Sequence, residues 1–168
     1  MLTEAIKLTL FPATMAFAAS SDLFTMTIAN RVSLFLVAGF AVLAALTGMS
    51  ATDMLWHLGA GGCVLVIAFV LFSRGWIGGG DAKLAAATAL WLGFAHLFDY
   101  LIYASIFGGA LTVALIQFRM LPLPAALAGR EWIERLHRRG GGVPYGIALA
   151  AAALLVYPHT EWMRVLGL

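Results

Sequence analysis

Two aspartates stand where carboxyl chemistry is plausible. Asp81 follows Gly78, Gly79 and Gly80 in the run "RGWIGGGDAKLAAATALWLG", and Asp22 lies in "AASSDLFTMTIANRVSL". Each has a plain local reading. Asp81 would cap the N-terminus of a helix after a glycine turn, where the helix dipole favours an ionised carboxylate. Asp22 would be a polar stop at the end of an apolar run. Together they allow more. Two carboxyl groups brought close cannot both ionise easily, so they share a proton. The ionised one can deprotonate a water, and the protonated one can donate to the oxygen of a scissile carbonyl. That is the chemistry of an aspartic peptidase, and it calls for no cofactor and no metal.

Whether the two can meet depends on the elements that carry them. Of the 168 residues, 62% are apolar and 11% are charged, against roughly 25% charged in soluble domains. A soluble fold of this length could not hide so much apolar surface, so the bilayer is the better solvent. Apolar stretches run over Ala5–Ser20, Val32–Met49, Met54–Phe72, Ala82–Phe98, Tyr100–Phe118 and Val143–Tyr157. Crossing a bilayer as a helix takes about 20 residues, so the first, fourth and sixth are short. Only His96 and Asp99 mark the division between the fourth and fifth. Backbone groups in lipid must be satisfied internally, and the continuous runs lack the alternation of barrel strands. The expectation is one all-α domain over residues 1–168, a polytopic bundle of six transmembrane helices.

Six spans place successive loops on alternate sides. One side then holds Arg31, Arg74, Lys83, Arg119, Arg130, Arg135, Arg138 and Arg139, and the other holds Lys7 and Arg164. The excess of Lys and Arg marks the first side as cytoplasmic. Asp22 and Asp81 fall on it, and Asp53 and Asp99 fall on the other. A cleaved signal peptide ending at Ala16-Phe17-Ala18 would reverse this arrangement and set the basic loops outside, against the same rule.

The remaining candidates read more plainly. Cys63 is the single cysteine, which excludes an intrachain disulfide and a cysteine zinc cluster; beside Gly61 and Gly62 it reads as a small packing residue. His57, His96, His137 and His159 share no metal-ligand spacing. Ser20 and Ser21 are placed to hydrogen-bond a nearby carboxylate. Trp56, Trp76, Trp91, Trp132 and Trp162 read mostly as interfacial anchors. Arg119 to Arg139 read as a topology signal at anionic headgroups, with Glu131 and Glu134 as acceptors for a basic peptide. Small residues four apart, Gly59 with Cys63 and Ala104 with Gly108, allow close helix packing and would permit a homo-oligomer. No broad basic face suggests nucleic acid.

The segments "SDLFTMTIANRVSL", "GWIGGGDAKLAAATALWLG" and "GGGVPYGIALAAAALL", in register with six spans, resemble the short-form type IV prepilin peptidases of the Flp, or tight-adherence, pilus. "GGGD" resembles the Gly-X-Gly-Asp motif of membrane aspartic peptidases. The resemblance implies a six-helix protease of the bacterial inner membrane. It implies Asp22 and Asp81 as catalytic residues facing the cytoplasm, Gly78 and Gly80 as motif glycines, and Lys83 as the basic residue after the motif. The implied partner is a pilin precursor, cut between its short basic leader and its apolar helix, with pilus-assembly proteins nearby. Asn30 matches the family's Ile-Pro-Asn, with Ala29 in the proline's place. Phe24, Thr25 and Met26 stand where basic residues are common. The long form of the family carries a cysteine-rich insert and methylates the new N-terminus. About a dozen residues between the first two spans leave no place for that insert, so cleavage without methylation is expected. Two other readings are a proton-coupled transporter, which would want acidic groups deep in the spans, and a non-catalytic pilus-assembly component that has kept the fold.

Overall fold

The computed structural model describes residues 2–124 and 126–164. Among them the regular elements are all helical: α1 (Leu2–Thr25), α2 (Asn30–Thr47), α3 (Ala51–Ser73), α4 (Gly79–Met120), α5 (Glu131–His137), α6 (Tyr145–Val156), a 3-10 turn (Tyr157–His159) and α7 (Glu161–Arg164). The chain is an all-α membrane bundle. By length and composition α2, α3 and α4 can each cross a bilayer, and α6 is a shorter apolar helix. The side chain of Arg164, counted above in the charge balance, lies outside the described set.

α1 is longer than the first apolar stretch. It runs unbroken through Ala16-Phe17-Ala18 and places Asp22 inside its last turn. Only residues 26–29 then connect it to α2. Met26 adopts a left-handed backbone with φ 55°, and its N–H donates to the Asp22 carbonyl at 2.8 Å. Hydroxyls close the turn. Ser21 Oγ donates to the Thr27 carbonyl, and Thr25 Oγ1 lies 2.7 Å from Thr27 Oγ1.

The fourth and fifth stretches divide at Gly93, not at His96 and Asp99. Gly93 has φ 64° and ψ 178° and splits α4 into arms 79–92 and 94–120. Asp99 therefore sits on the exposed face of a helix instead of in a loop. The reason is conformational, because this backbone region is essentially closed to residues with a Cβ. A break also frees carbonyls that would otherwise accept from the next turn. His57 Nδ1 donates to the Leu90 carbonyl at 2.7 Å, and Trp162 Nε1 donates to the Trp91 carbonyl at 2.8 Å.

α4 packs against α3, α6 and α2, α1 packs against α6 and α2, and the first arm of α4 is buried almost throughout from Ala82 to Gly93. Phe11, Phe40, Trp91, Tyr157 and Trp162 interlock beside it. Trp91 and Trp162 are thus core residues and not bilayer anchors, whereas Trp56 and Trp76 are exposed. The indole N–H of each buried tryptophan finds a carbonyl; that of Trp91 donates to Leu36 at 2.9 Å. Small residues set the spacing. The Cβ that Gly61 lacks would lie 3.0 Å from Leu90, and the one Gly59 lacks would lie 3.0 Å from Phe94. Gly108 takes the ring of Tyr145, and Ala148, Ala150, Ala152 and Ala153 line the buried face of α6. Cys63 is exposed and takes no part in this packing.

Gly93→Ala forces a side chain into this region and against the His57 ring, 3.1 Å from the new Cβ. The expected loss is about 1–3 kcal/mol of stability, seen as a lower midpoint of thermal unfolding in detergent. An unchanged midpoint would show that the break does not need glycine.

Candidate active site

Asp81 is the third residue of α4, whose N-cap is Gly78. Its carboxylate turns back to accept the backbone N–H of Gly78, the local arrangement of a capping box. The two motif glycines have separate steric reasons. A Cβ on Gly78 would lie 2.8 Å from Asp81 Oδ2 and push the carboxylate aside. A Cβ on Gly80 would lie 3.1 Å from Cβ of Ile28 and 3.2 Å from its carbonyl oxygen. Gly80 thus lets the α1–α2 connection come down onto the start of α4.

Asp22 reaches the same place from the other direction. It is only 4% exposed, and its Oδ2 accepts the backbone N–H of Gly146 at 2.7 Å. Gly146 is the second residue of α6. That N–H has no partner within its own helix, and the positive end of the dipole adds to its attraction for a carboxylate. A side chain at 146 would meet Asp22 Oδ2 at 2.8 Å and Ile28 Cδ1 at 2.7 Å. Ile28 therefore wedges between two helix N-termini, each presenting an N–H to one aspartate. The charge of Asp22 acts electrostatically on the Asp81 carboxyl.

Lys83 and Asn30 also meet. Lys83 Nζ donates to Asn30 Oδ1 at 2.8 Å, which joins the starts of α4 and α2 on the exposed side of the same end. The six residues singled out in the sequence thus form two neighbouring groups, Asp22 with Gly78, Gly80 and Asp81, and Asn30 with Lys83. The serines do not join them. Ser20 Oγ donates to the Ala16 carbonyl and Ser21 Oγ to Thr27, so neither serves a carboxylate.

Gly146, Ile28 and Arg119 complete the site; Gly146 and Ile28 were not singled out in the sequence, and Arg119 was read there only as part of the basic topology signal. Arg119 lies in the last turn of α4 and donates to three carbonyls, those of Leu136, Gly141 and Gly142, at 2.7, 2.9 and 2.6 Å. This clamp fixes the chain just before α6 and so aims the Gly146 N–H. Arg135 Nη1 donates to the Phe24 carbonyl at 2.8 Å, and Trp132 packs edge-on against Phe24 at 5.3 Å. The basic loop therefore holds α5 against the end of α1. Glu134 accepts the Gly129 N–H within that loop. Pro144 just before α6 is a helix-start signal, and it could have drawn attention to Gly146.

Ala29 has φ −67° and ψ 141°, the φ to which proline is locked. The missing family proline therefore leaves the connection in a proline-compatible shape. Ala29→Pro is expected to raise stability by about 0.4–1 kcal/mol by restricting the unfolded chain. A lower unfolding midpoint for this variant would show that the Ala29 backbone is strained or needs its N–H.

A model of the type IV leader peptidase family matches residues 9–113, well over half of the chain. The match takes in both aspartates, Gly78, Gly80, Asn30 and Lys83. Searches of curated proteins and of solved structures find no match.

Proposed function

Because the chain belongs to the type IV leader peptidase family, we propose that it is a membrane-embedded aspartic endopeptidase that removes the leader of Flp-type pilin precursors through Asp22 and Asp81. One observation carries this reading: two carboxyl groups from separate helices converge across Ile28, each held by a backbone N–H at a helix N-terminus. Holding one oxygen of each carboxylate fixes its direction and leaves the other oxygen for chemistry. In the proposed reaction the pair carries one proton. The ionised carboxylate takes a proton from water as the water oxygen attacks the scissile carbonyl carbon. The protonated carboxyl donates to the carbonyl oxygen. As the tetrahedral intermediate collapses, the C–N bond breaks and a proton passes to the leaving amine.

The charge distribution supports a cytoplasmic site. Eight of the ten Lys and Arg residues fall at or between the helix ends on the side of Asp22 and Asp81, and segments so charged stay in the cytoplasm. The leader of a pilin precursor is on that side before cleavage. The four-residue connection after α1 and the single cysteine support cleavage without methylation. The transporter reading finds no comparable support, because the two carboxyl groups sit at helix ends, Asp22 in the last turn of α1 and Asp81 in the first turn of α4.

The test is reconstitution in lipid with a full-length pilin precursor. Asp22→Asn and Asp81→Asn keep the side-chain size and remove the titratable group. Each is expected to slow cleavage at least about 100-fold, read as loss of the mobility shift. The mature product is expected to carry a free, unmethylated amine by mass spectrometry. Cleavage at the parent rate by either variant would overturn the carboxylate mechanism, and a methylated product would overturn the cleavage-only assignment.

A further inference from the structure

A groove opens sideways next to the site. α2 and α3 are joined by a short turn at the far end of the bundle, yet they scarcely pack against each other, and the first arm of α4 forms the floor between them. The resulting cavity is about 560 Å³. It runs from Asn30 to Val37 along α2, from Leu65 to Leu58 along α3 and from Lys83 to Leu90 along α4. That is about two helical turns on each wall. Its lips are the exposed Leu34, Val37, Leu58 and Leu65, and its polar groups gather at the end nearest the aspartates.

Two features point to an occupant. Gly62 lines the groove with nothing within 4 Å of where its Cβ would be, while its neighbour Gly61 is pressed against Leu90. α3 therefore uses one glycine to pack on α4 and leaves the other as bare backbone toward the groove, where another helix can approach closely. Ser33 also lines the groove. It is 8% exposed, and its Oγ is buried without a hydrogen-bond partner. A buried hydroxyl left unmade is costly, and a docked helix whose first backbone N–H groups lack partners would satisfy it.

We propose that this α2–α3–α4 groove holds the first two turns of the apolar helix of the substrate, with Ser33 Oγ accepting from a free backbone N–H of the first turn, near the cleavage point. The inference rests on the proposed function for the identity of the occupant. It adds where the part of the substrate that is not cut is gripped. Continuity with the site supports this choice, because Lys83 closes the groove only two residues after Asp81. A substrate lying there would arrive from the plane of the bilayer, with its leader already at the carboxyl pair.

Gly62→Phe would put a ring into the groove at a position where nothing lies within 4 Å of the new Cβ. It is expected to lower cleavage of the full-length precursor by about tenfold or more, which corresponds to about 1.4 kcal/mol of docking. Cleavage of a short peptide that spans the scissile bond but lacks the apolar helix should stay at the parent level. Equal cleavage of the full-length precursor by variant and parent would overturn the proposal and leave the groove to lipid chains. Equal losses on both substrates would overturn it too, because the effect would then come from the site. A photoreactive residue at Leu65 in the Asp81→Asn protein reads docking without cleavage. It should trap the full-length precursor, whereas one at Ile106, exposed on the other arm of α4, should not; trapping only at Ile106 would also overturn the proposal. Failure of the proposed function would show separately, as a parent protein that cleaves neither substrate.

Discussion

A carboxylate as buried as that of Asp22 must find a donor, and the donor it finds is 124 residues away, at the start of α6. Much of the site follows from that single hydrogen bond. Leaving such a group unpaired in a low-dielectric interior costs several kcal/mol. The N-terminus of α6 therefore has to come within reach of the last turn of α1. It can do so only where residue 146 has no side chain. Arg119 then fixes the approach of the chain into α6 by gripping Gly141 and Gly142. Asp81 solves the same problem locally, with the Gly78 N–H of its own helix. The two aspartates look alike in sequence, but one is held by neighbours in the chain and the other by tertiary structure.

This difference explains what could be read from the residues alone. Asp81 and its glycines form a contiguous signal whose geometry is local, and the structure places them as a helix start with its N-terminal acid. The helical class and the membrane character follow from composition and run length. Asp22 was legible as a candidate but its partner was not, because nothing adjacent to it names Gly146. The break in α4 was misplaced for a related reason. His96 and Asp99 are the polar residues in that stretch, and polarity suggested a boundary. The actual break depends on the one residue there that can adopt φ 64°, and on His57 and Trp162, which come from other helices to satisfy the freed carbonyls. Trp91 and Trp162 were misread as surface anchors for the same reason, since their carbonyl partners lie far away in sequence.

The short first arm of α4 links the fold to the chemistry. Residues 79–92 rise about 21 Å, less than the ~30 Å hydrocarbon core. An arm of that length falls short of spanning the hydrocarbon core by itself. At one end stand the carboxyl pair and the mouth of the α2–α3–α4 groove. At the other stands the Gly93 break. Its central place, with helices on several sides, makes it the rigid mount on which Asp81 is held.

The central claim is that Asp22 and Asp81 work as a pair that must hold one proton between them. The pH dependence of kcat/KM for a short peptide spanning the scissile bond, measured in lipid, tests it most directly. A pair with one ionised and one protonated member loses activity when both are protonated and again when both are ionised, and its two apparent pKa values belong to the pair. The account predicts a bell with an acidic and an alkaline limb. A profile that stays flat on either side, over the range where the folded protein is stable, would contradict it.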